Sequence, residues 1–226
     1  MAWRGSGRVS TAAETNVRQV PRPRADALRN RERIVSAARE MFAELGPNVP
    51  LDEVARTAGV GNATVYRHFS DRAALVHAVV VSVLDRIHEQ VRQAAEEGDP
   101  FAAVRRFVHA AADERIGALC PMIAGDFDKD HPDLLAGRDR LEGAVRELIE
   151  RAQAAGRMRE DVGLGDLLVA LGQLARPLPG TECAKLDHFV HRHLQVFLDG
   201  LEAPARSQLA GRAVTLDDLR GPGACR

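Results

Sequence analysis

The side chains best suited to chemistry crowd into one stretch, Asn62-Ala63-Thr64-Val65-Tyr66-Arg67-His68. Asn, Thr, Tyr, Arg and His together supply hydroxyl, amide, guanidinium and imidazole donors within two helical turns. None of them is paired in the sequence with a nucleophile or a catalytic base. Donors on a small-residue surface suit the floor of a DNA major groove. Ala63 permits close approach there, and the Thr64 hydroxyl can meet a phosphate or a base edge. Arg67, Asn62 and Arg56 are the candidates to read bases, since Arg can pair bidentately with guanine and Asn with adenine. Tyr66 is the only tyrosine of the chain. Its bland alternative is a core aromatic with its hydroxyl at the rim.

Two short helices have to position that stretch. Leu51, Val54, Ala55 and Ala58 fall at helical spacing and form one apolar face. Gly59 supplies the stop, because glycine enters the left-handed region without a steric cost, and Val60 can tuck back against the helix it ends. A second helix starts near Gly61 or Asn62 and buries Val65 and Phe69, four residues apart. An earlier helix from about Ala25 to Leu45 should cross behind the pair as a scaffold, with Leu28, Ile34, Val35, Ala38, Met41, Phe42 and Leu45 inward. A long helix then follows from a Ser70 cap to Glu97.

Other clusters yield to ordinary readings. Gly59-x-Gly61 has neither a third glycine nor a preceding strand, so it is not a phosphate loop. Asp126-Phe-Asp128-Lys-Asp130 opens like a calcium loop, but His131 stands where the glycine belongs and Gly137 where the closing glutamate belongs. His188, His191 and His193 lack a completing acid or thiol and read as solvated or interface histidines. His109 and Asp113, at i and i+4, read as a surface pair unless they point between helices into a cavity. No nucleophile, base and orienting acid converge, so the sequence predicts neither an enzyme nor a metal or cofactor site.

The run LDEVARTAGVGNATVYRHFSDRAAL resembles the helix-turn-helix of the tetracycline-repressor (TetR) family of bacterial transcription regulators. The match is carried by Ala58-Gly59-Val60, Thr64-Val65-Tyr66, His68-Phe69, Arg72 and Leu75. Gly61 replaces a frequent serine cap, and Val49-Pro50 replaces a Ser/Thr before the first helix; proline suits a first helical turn. The resemblance implies that Tyr66 and His68 clamp phosphates, with Arg72 as the basic residue at the start of the next helix. It also implies an effector pocket in the larger domain. Phe107, Met122, Phe127 and Leu148 are candidates to line that pocket, with Gln173, His109 and Asp113 as polar handles.

Charge and patterning fit that reading. Up to Leu75 there are twelve arginines against eight acids, on a chain whose formal net charge is −1. A basic end on an otherwise acidic chain fits a DNA-facing module on a body that should not bind DNA. Three cysteines without metal spacing, and no apolar run long enough to span a membrane, predict a reduced, cytoplasmic setting.

The expected organisation is all-α. Residues 1–24 form a disordered basic arm, read either as a minor-groove arm or as a solvated tail. Residues 25–75 form the DNA-binding domain, residues 76–202 a helical effector-binding and dimerisation domain, and residues 203–226 a tail read as disordered, with a helical turn open to Val214–Leu219. In the last two helices apolar residues cover more than one face. That breadth predicts a homodimer built on Leu167, Leu171, Gly172, Ala175, Phe189, Val190 and Phe197, in which the small residues allow close helix approach; the alternative is that both are central helices of a monomer. The expected function is a dimeric repressor on a palindromic double-stranded operator, released by a small-molecule effector. An activator or an effector-independent regulator would keep the same heads. A helical enzyme or interaction module with a vestigial head is the alternative of a different class.

Overall fold

Hydrophobic periodicity converts directly into helices here. In the computed structural model of the protein, residues 23–46, 48–115, 128, 130–175 and 183–220 are described. The elements are α1 (Pro23–Leu45), α2 (Leu51–Ala58), α3 (Asn62–His68), α4 (Arg72–Ala94), α5 (Pro100–Asp113), α6 (Pro132–Ala154), α7 (Leu164–Leu174), α8 (Cys183–Leu201) and the short α9 (Leu216–Arg220). Among the described residues the only extended pairing is an isolated antiparallel bridge between Met158 and Glu202. The fold is all-α, as its sequence predicts.

One run of buried side chains joins a head to a body. In the head, Ile34, Ala38 and Phe42 of α1 meet Val54 and Ala55 of α2, Val65 of α3 and Phe69. Leu75 and Val79 of α4 close that cluster, while Ile87, Val91 and Ala94 of the same helix belong to the body. There Phe101, Val104 and Phe107 of α5, Leu134, Leu148 and Ala152 of α6, and Leu167, Leu171, Leu194 and Leu198 of α7 and α8 are buried with them. Because α4 carries both sets, the head cannot tilt without disturbing one of them. Full burial of a Val, Leu or Phe side chain contributes about 1.5–3 kcal/mol.

Helix ends depart from the sequence expectation in several places. Leu28 and Leu45 lie 62% and 66% exposed, because the α1 core stripe begins only at Ile34 and Leu45 is the final residue of the helix. The cap of α4 is Asp71 rather than Ser70: its carboxylate accepts from the Ala74 N–H at 2.8 Å, and Ser70 donates its hydroxyl to that carboxylate. Those hydrogen bonds hold the Asp71 pKa below its usual value. Helix α5 is capped by Asp99, which accepts from the Phe101 and Ala102 N–H groups. It stops at Asp113, well before Leu119, and Arg115 adopts a left-handed φ of 53°.

The helical turn that the sequence allows at Val214 to Leu219 is α9 (Leu216–Arg220), and residues 203–220, read otherwise as a disordered tail, pack on the body. Arg159 is buried and donates to Asp161 (2.6 and 2.8 Å), to the Gly200 carbonyl (3.2 Å) and to the Ser207 carbonyl (2.8 Å). Asp161 also accepts from the Leu209 N–H, and the Arg159 guanidinium holds its pKa down at about 2. Further on, the Val214 carbonyl crosses the start of α7 so closely that a Cβ on Gly165 would lie 2.2 Å from its oxygen. Only glycine admits that crossing. Residues 203–220 are therefore part of the body.

Candidate nucleic-acid interface

The turn between α2 and α3 sets the direction of everything that follows it. Gly59 sits at φ 63°, ψ 39°. The Val60 N–H reaches back to the Ala55 carbonyl (3.0 Å) and the Gly59 N–H to the Arg56 carbonyl (3.1 Å), the paired bonds of a Schellman stop. Val60 is partly buried against the core, as the sequence anticipated. From α1, Arg33 donates to the Gly59 carbonyl at 3.2 Å and so ties the turn to the scaffold helix.

Helix α3 is then fixed by two anchors. Val65 is fully buried and Phe69 nearly so. The Arg31 guanidinium of α1 lies 4.9 Å from the centroid of the Phe69 ring, a cation–π contact that adds to the packing. With Val65 and Phe69 turned inward, helical geometry turns the intervening residues out. Asn62, Ala63, Tyr66 and Arg67 are exposed, Tyr66 by 54%, while Thr64 and His68 are half-buried at the edges of that face. Arg56 is exposed in the last turn of α2, and Arg72 is half-buried at the first residue of α4. All eight predicted DNA-facing residues thus reach solvent around one exposed helix. Tyr66 is not a core aromatic. Gly61 caps α3 without a side-chain bond, so the helix depends on its anchors rather than on a strong cap.

The residues expected around an effector separate. Phe107 and Leu148 are buried in the body core, on α5 and α6. Gln173 is exposed on α7, so it does not point into that core. Met122 and Phe127 lie outside the described residues. His109 and Asp113 do not form a simple i, i+4 pair; they meet through His191 of α8. His109 Nδ1 lies 2.9 Å from His191 Nδ1, His191 Nε2 lies 2.9 Å from Asp113 Oδ1, and His109 Nε2 lies 3.5 Å from Gln195 Oε1. His191 thus joins the two residues of α5, and Gln195 in turn donates its amide N–H to Asp199 at 2.6 Å. Burial lowers the His109 pKa, only partly offset by the Gln195 hydrogen bond, which agrees with a neutral ring.

The predicted dimer residues divide as well. Leu167 and Leu171 are buried in the protomer's own core, so they are not available to a partner. Ala175, Val190 and Phe197 are half-buried against that core, and Gly172 opens onto free space. Phe189 is 49% exposed, and it is joined by Val169 (41%) and Val196 (67%), which the sequence reading missed. Val196 had a signal, since Phe189, His193, Val196 and Gly200 recur at i, i+4, i+7 and i+11 along α8; Val169 lies on α7.

Two features had no local sequence signal. Glu114, at the end of α5, is nearly buried and accepts two hydrogen bonds from Arg86 of α4, each 2.7 Å long. Arg39 of α1 lies 3.8 Å from the same carboxylate, and Arg115 reaches Glu44 of α1 at 3.4 Å. The Glu114 hydrogen bond raises the Arg86 pKa. This ion network links head, connecting helix and body at one point. The second feature is His88 on α4, whose Nδ1 is buried without a partner among the described residues.

An exposed donor-rich helix, pinned behind by two apolar anchors and presented by a glycine-stopped partner helix, defines a helix-turn-helix DNA-binding protein. Comparison with known proteins gives the family. Residues 34–79 match bacterial regulatory proteins of the tetR family, and residues 99–203 match the C-terminal domain of SbtR-like transcriptional regulators. A TetR transcriptional regulator from Streptomyces coelicolor is 30% identical and superposes with a TM-score of 0.59 over 77% of this chain and 99% of its own. The TetR-like regulator LfrR from Mycobacterium smegmatis, solved in complex with proflavine, shares the fold at 23% identity, with a TM-score of 0.57 over 80% of this chain and 99% of its own. An HTH-type transcriptional regulator from Staphylococcus aureus is 35% identical over 75 residues, which are 33% of this chain and 40% of the relative. The chain spans about two fifths of the length of that curated relative. The chain belongs to the TetR family of transcriptional regulators. Among the described residues no helix is long and apolar enough to cross a membrane.

Proposed function

We propose that the protein is a homodimeric repressor that reads a palindromic operator with α3 and leaves it when a small molecule enters the body. The observation that carries the reading is the outward face of α3, on which every exposed side chain is small or bears a hydrogen-bonding group. Tyr66, His68 and Arg72 position the head on phosphates; Asn62, Arg67 and Arg56 read base edges, with Ala63 and Thr64 allowing close approach. One seven-residue helix spans only a few base pairs. Two heads about 34 Å apart, one helical turn of DNA, would read a two-fold site. The apolar face of Val169, Phe189 and Val196, beside the open Gly172, supports dimerisation through α7 and α8.

Release requires an effector that binds the DNA-free arrangement more tightly than the DNA-bound one. The proflavine complex of LfrR supports a small-molecule ligand. His88, whose Nδ1 is buried without a partner among the described residues, is one polar handle for such a ligand. Because α4 packs in head and body alike, a shift of its body half moves the head. The test is fluorescence anisotropy on the intergenic DNA beside the protein's own gene, against scrambled DNA, at two salt concentrations. Tight, salt-sensitive and sequence-selective binding is expected. Equal weak binding to both duplexes, together with no site enriched from a random duplex pool, would rule the reading out.

A further inference from the structure

The calcium-like run of acids ends at His131, and the structure gives that residue a different setting. His131 caps α6 and lies against His77 of α4, their rings edge to face with centroids 4.3 Å apart. Asp133, in the first turn of α6, completes the group: one ligand atom from each of His77, His131 and Asp133 can be chosen so that all lie within 4.8 Å of one another. The two histidines are half-buried and Asp133 is exposed, so the group is open to an ion from solvent. Around His77, burial, His131 and Arg31 oppose a positive charge, while Asp133 and Asp128 favour one.

We infer that His77, His131 and Asp133 form a binding site for a divalent transition-metal ion of the zinc type, joining the DNA-binding head to the start of α6. Two imidazoles and one carboxylate are the donor set of three-ligand zinc sites, whose fourth position is left to water. Imidazole nitrogen selects zinc, nickel, cobalt or copper over magnesium or calcium, which prefer oxygen alone. The geometry is nearly assembled. Ligand atoms about 2.0–2.1 Å from a tetrahedral ion stand roughly 3.3 Å apart. His131 Nδ1 and Asp133 Oδ2 are already 3.8 Å apart. His131 Nδ1 now accepts a long 3.3 Å bond from the Asp133 N–H; exchanging that bond for the metal leaves Nε2 protonated, the ordinary tautomer of a ligating histidine. Closing the set from within 4.8 Å to that spacing asks for side-chain rotation alone.

The placement gives the site a consequence. His77 lies within residues 34–79, the part that matches the family's DNA-binding head, while His131 and Asp133 lie within residues 99–203, the part that matches the body. The metal would bridge them across the groove in which α4 passes α1, a groove that Arg31, His77 and Asp133 line. Binding therefore fixes the angle between head and body. The site itself does not depend on the repressor reading.

The test uses the full chain, stripped with chelator and with its cysteines blocked by alkylation. It is titrated with zinc against a chromogenic chelator, and separately with cobalt followed by visible absorption. One ion per chain is expected, with a cobalt spectrum of low-symmetry nitrogen and oxygen coordination and a higher melting temperature in the presence of zinc. His77→Ala and His131→Ala should each abolish stoichiometric zinc binding, and Asp133→Asn should weaken it less. Circular dichroism of each variant confirms that the helices persist; if one alanine variant fails to fold, the other and Asp133→Asn decide. Absence of stoichiometric zinc binding by the wild type overturns the inference. So does binding that survives His77→Ala and His131→Ala, because the ion would then sit elsewhere.

Discussion

Glu114 is the point at which the architecture makes its sharpest energetic demand. Its carboxylate is nearly buried, holds Arg86 by two 2.7 Å bonds and stands 3.8 Å from Arg39. Replacing it with alanine removes both charge-assisted bonds and leaves two cations facing one another. Hydrogen bonds to charged groups contribute about 1.5–3 kcal/mol. The Arg86 side chain is 49% exposed and can return to water, which discounts that figure. We expect Glu114→Ala to cost about 2 kcal/mol, a fall in melting temperature of about 4–8 °C for a chain of this size. The cleaner assay is a double-mutant cycle with Arg86→Ala, read by denaturant unfolding. A coupling energy of about 1–2 kcal/mol is expected. A coupling within about 0.3 kcal/mol of zero would show that the pair is a solvated contact, and the argument that it ties α4 to the body would fail.

Three further outcomes follow from the same geometry. Gly59→Ala should cost about 1–2 kcal/mol, since it forces a side chain into the left-handed region and displaces Arg33 from the Gly59 carbonyl; an unchanged melting temperature would contradict the Schellman stop. Burial lowers the His109 pKa below its ordinary 6.5, so the unfolded chain takes up that proton first. Its contribution to stability is complete above about pH 6.5 and is lost as the pH falls towards the folded value. The groups facing it are His191 and Gln195 of α8 and Asp113 and Arg105 of its own helix. Melting temperature should thus fall between pH 7.5 and 5.5, less steeply in His109→Gln; identical slopes would remove His109 from the account. Val196→Glu should shift sedimentation from dimer to monomer while leaving the helical content intact, whereas Leu171→Ala should instead cost about 2–5 kcal/mol of core stability. A Val196→Glu protein that remains dimeric would move the interface elsewhere.

How much of this was legible in the sequence depended on the range of the signals. The helix-turn-helix was legible because its determinants are local: a glycine stop, apolar residues four apart, and donors between them. Helix α7 misled for a related reason. It is apolar on more than one side, so its pattern carries no direction, and Leu167 and Leu171 were assigned to a partner although they face the protomer's own core. The order of residues 203–220 was hidden because the need for glycine at 165 is created by the Val214 carbonyl, far along the chain. Glu114 was silent for the same reason, since its partners Arg86 and Arg39 lie on other helices. His109 and Asp113 were noticed, but the His191 that unites them comes from α8.

The central claim is that the outward face of α3 recognises DNA. It is tested most directly by measuring affinities of wild type, Arg67→Ala and the Tyr66→Ala/His68→Ala pair on a duplex selected from random sequence and on a scrambled one. Arg67→Ala should cost about 1–3 kcal/mol on the selected duplex and much less on the scrambled one, while the Tyr66/His68 pair should weaken both alike and flatten the salt dependence. Affinities that remain unchanged on both duplexes would show that DNA is bound elsewhere or not at all.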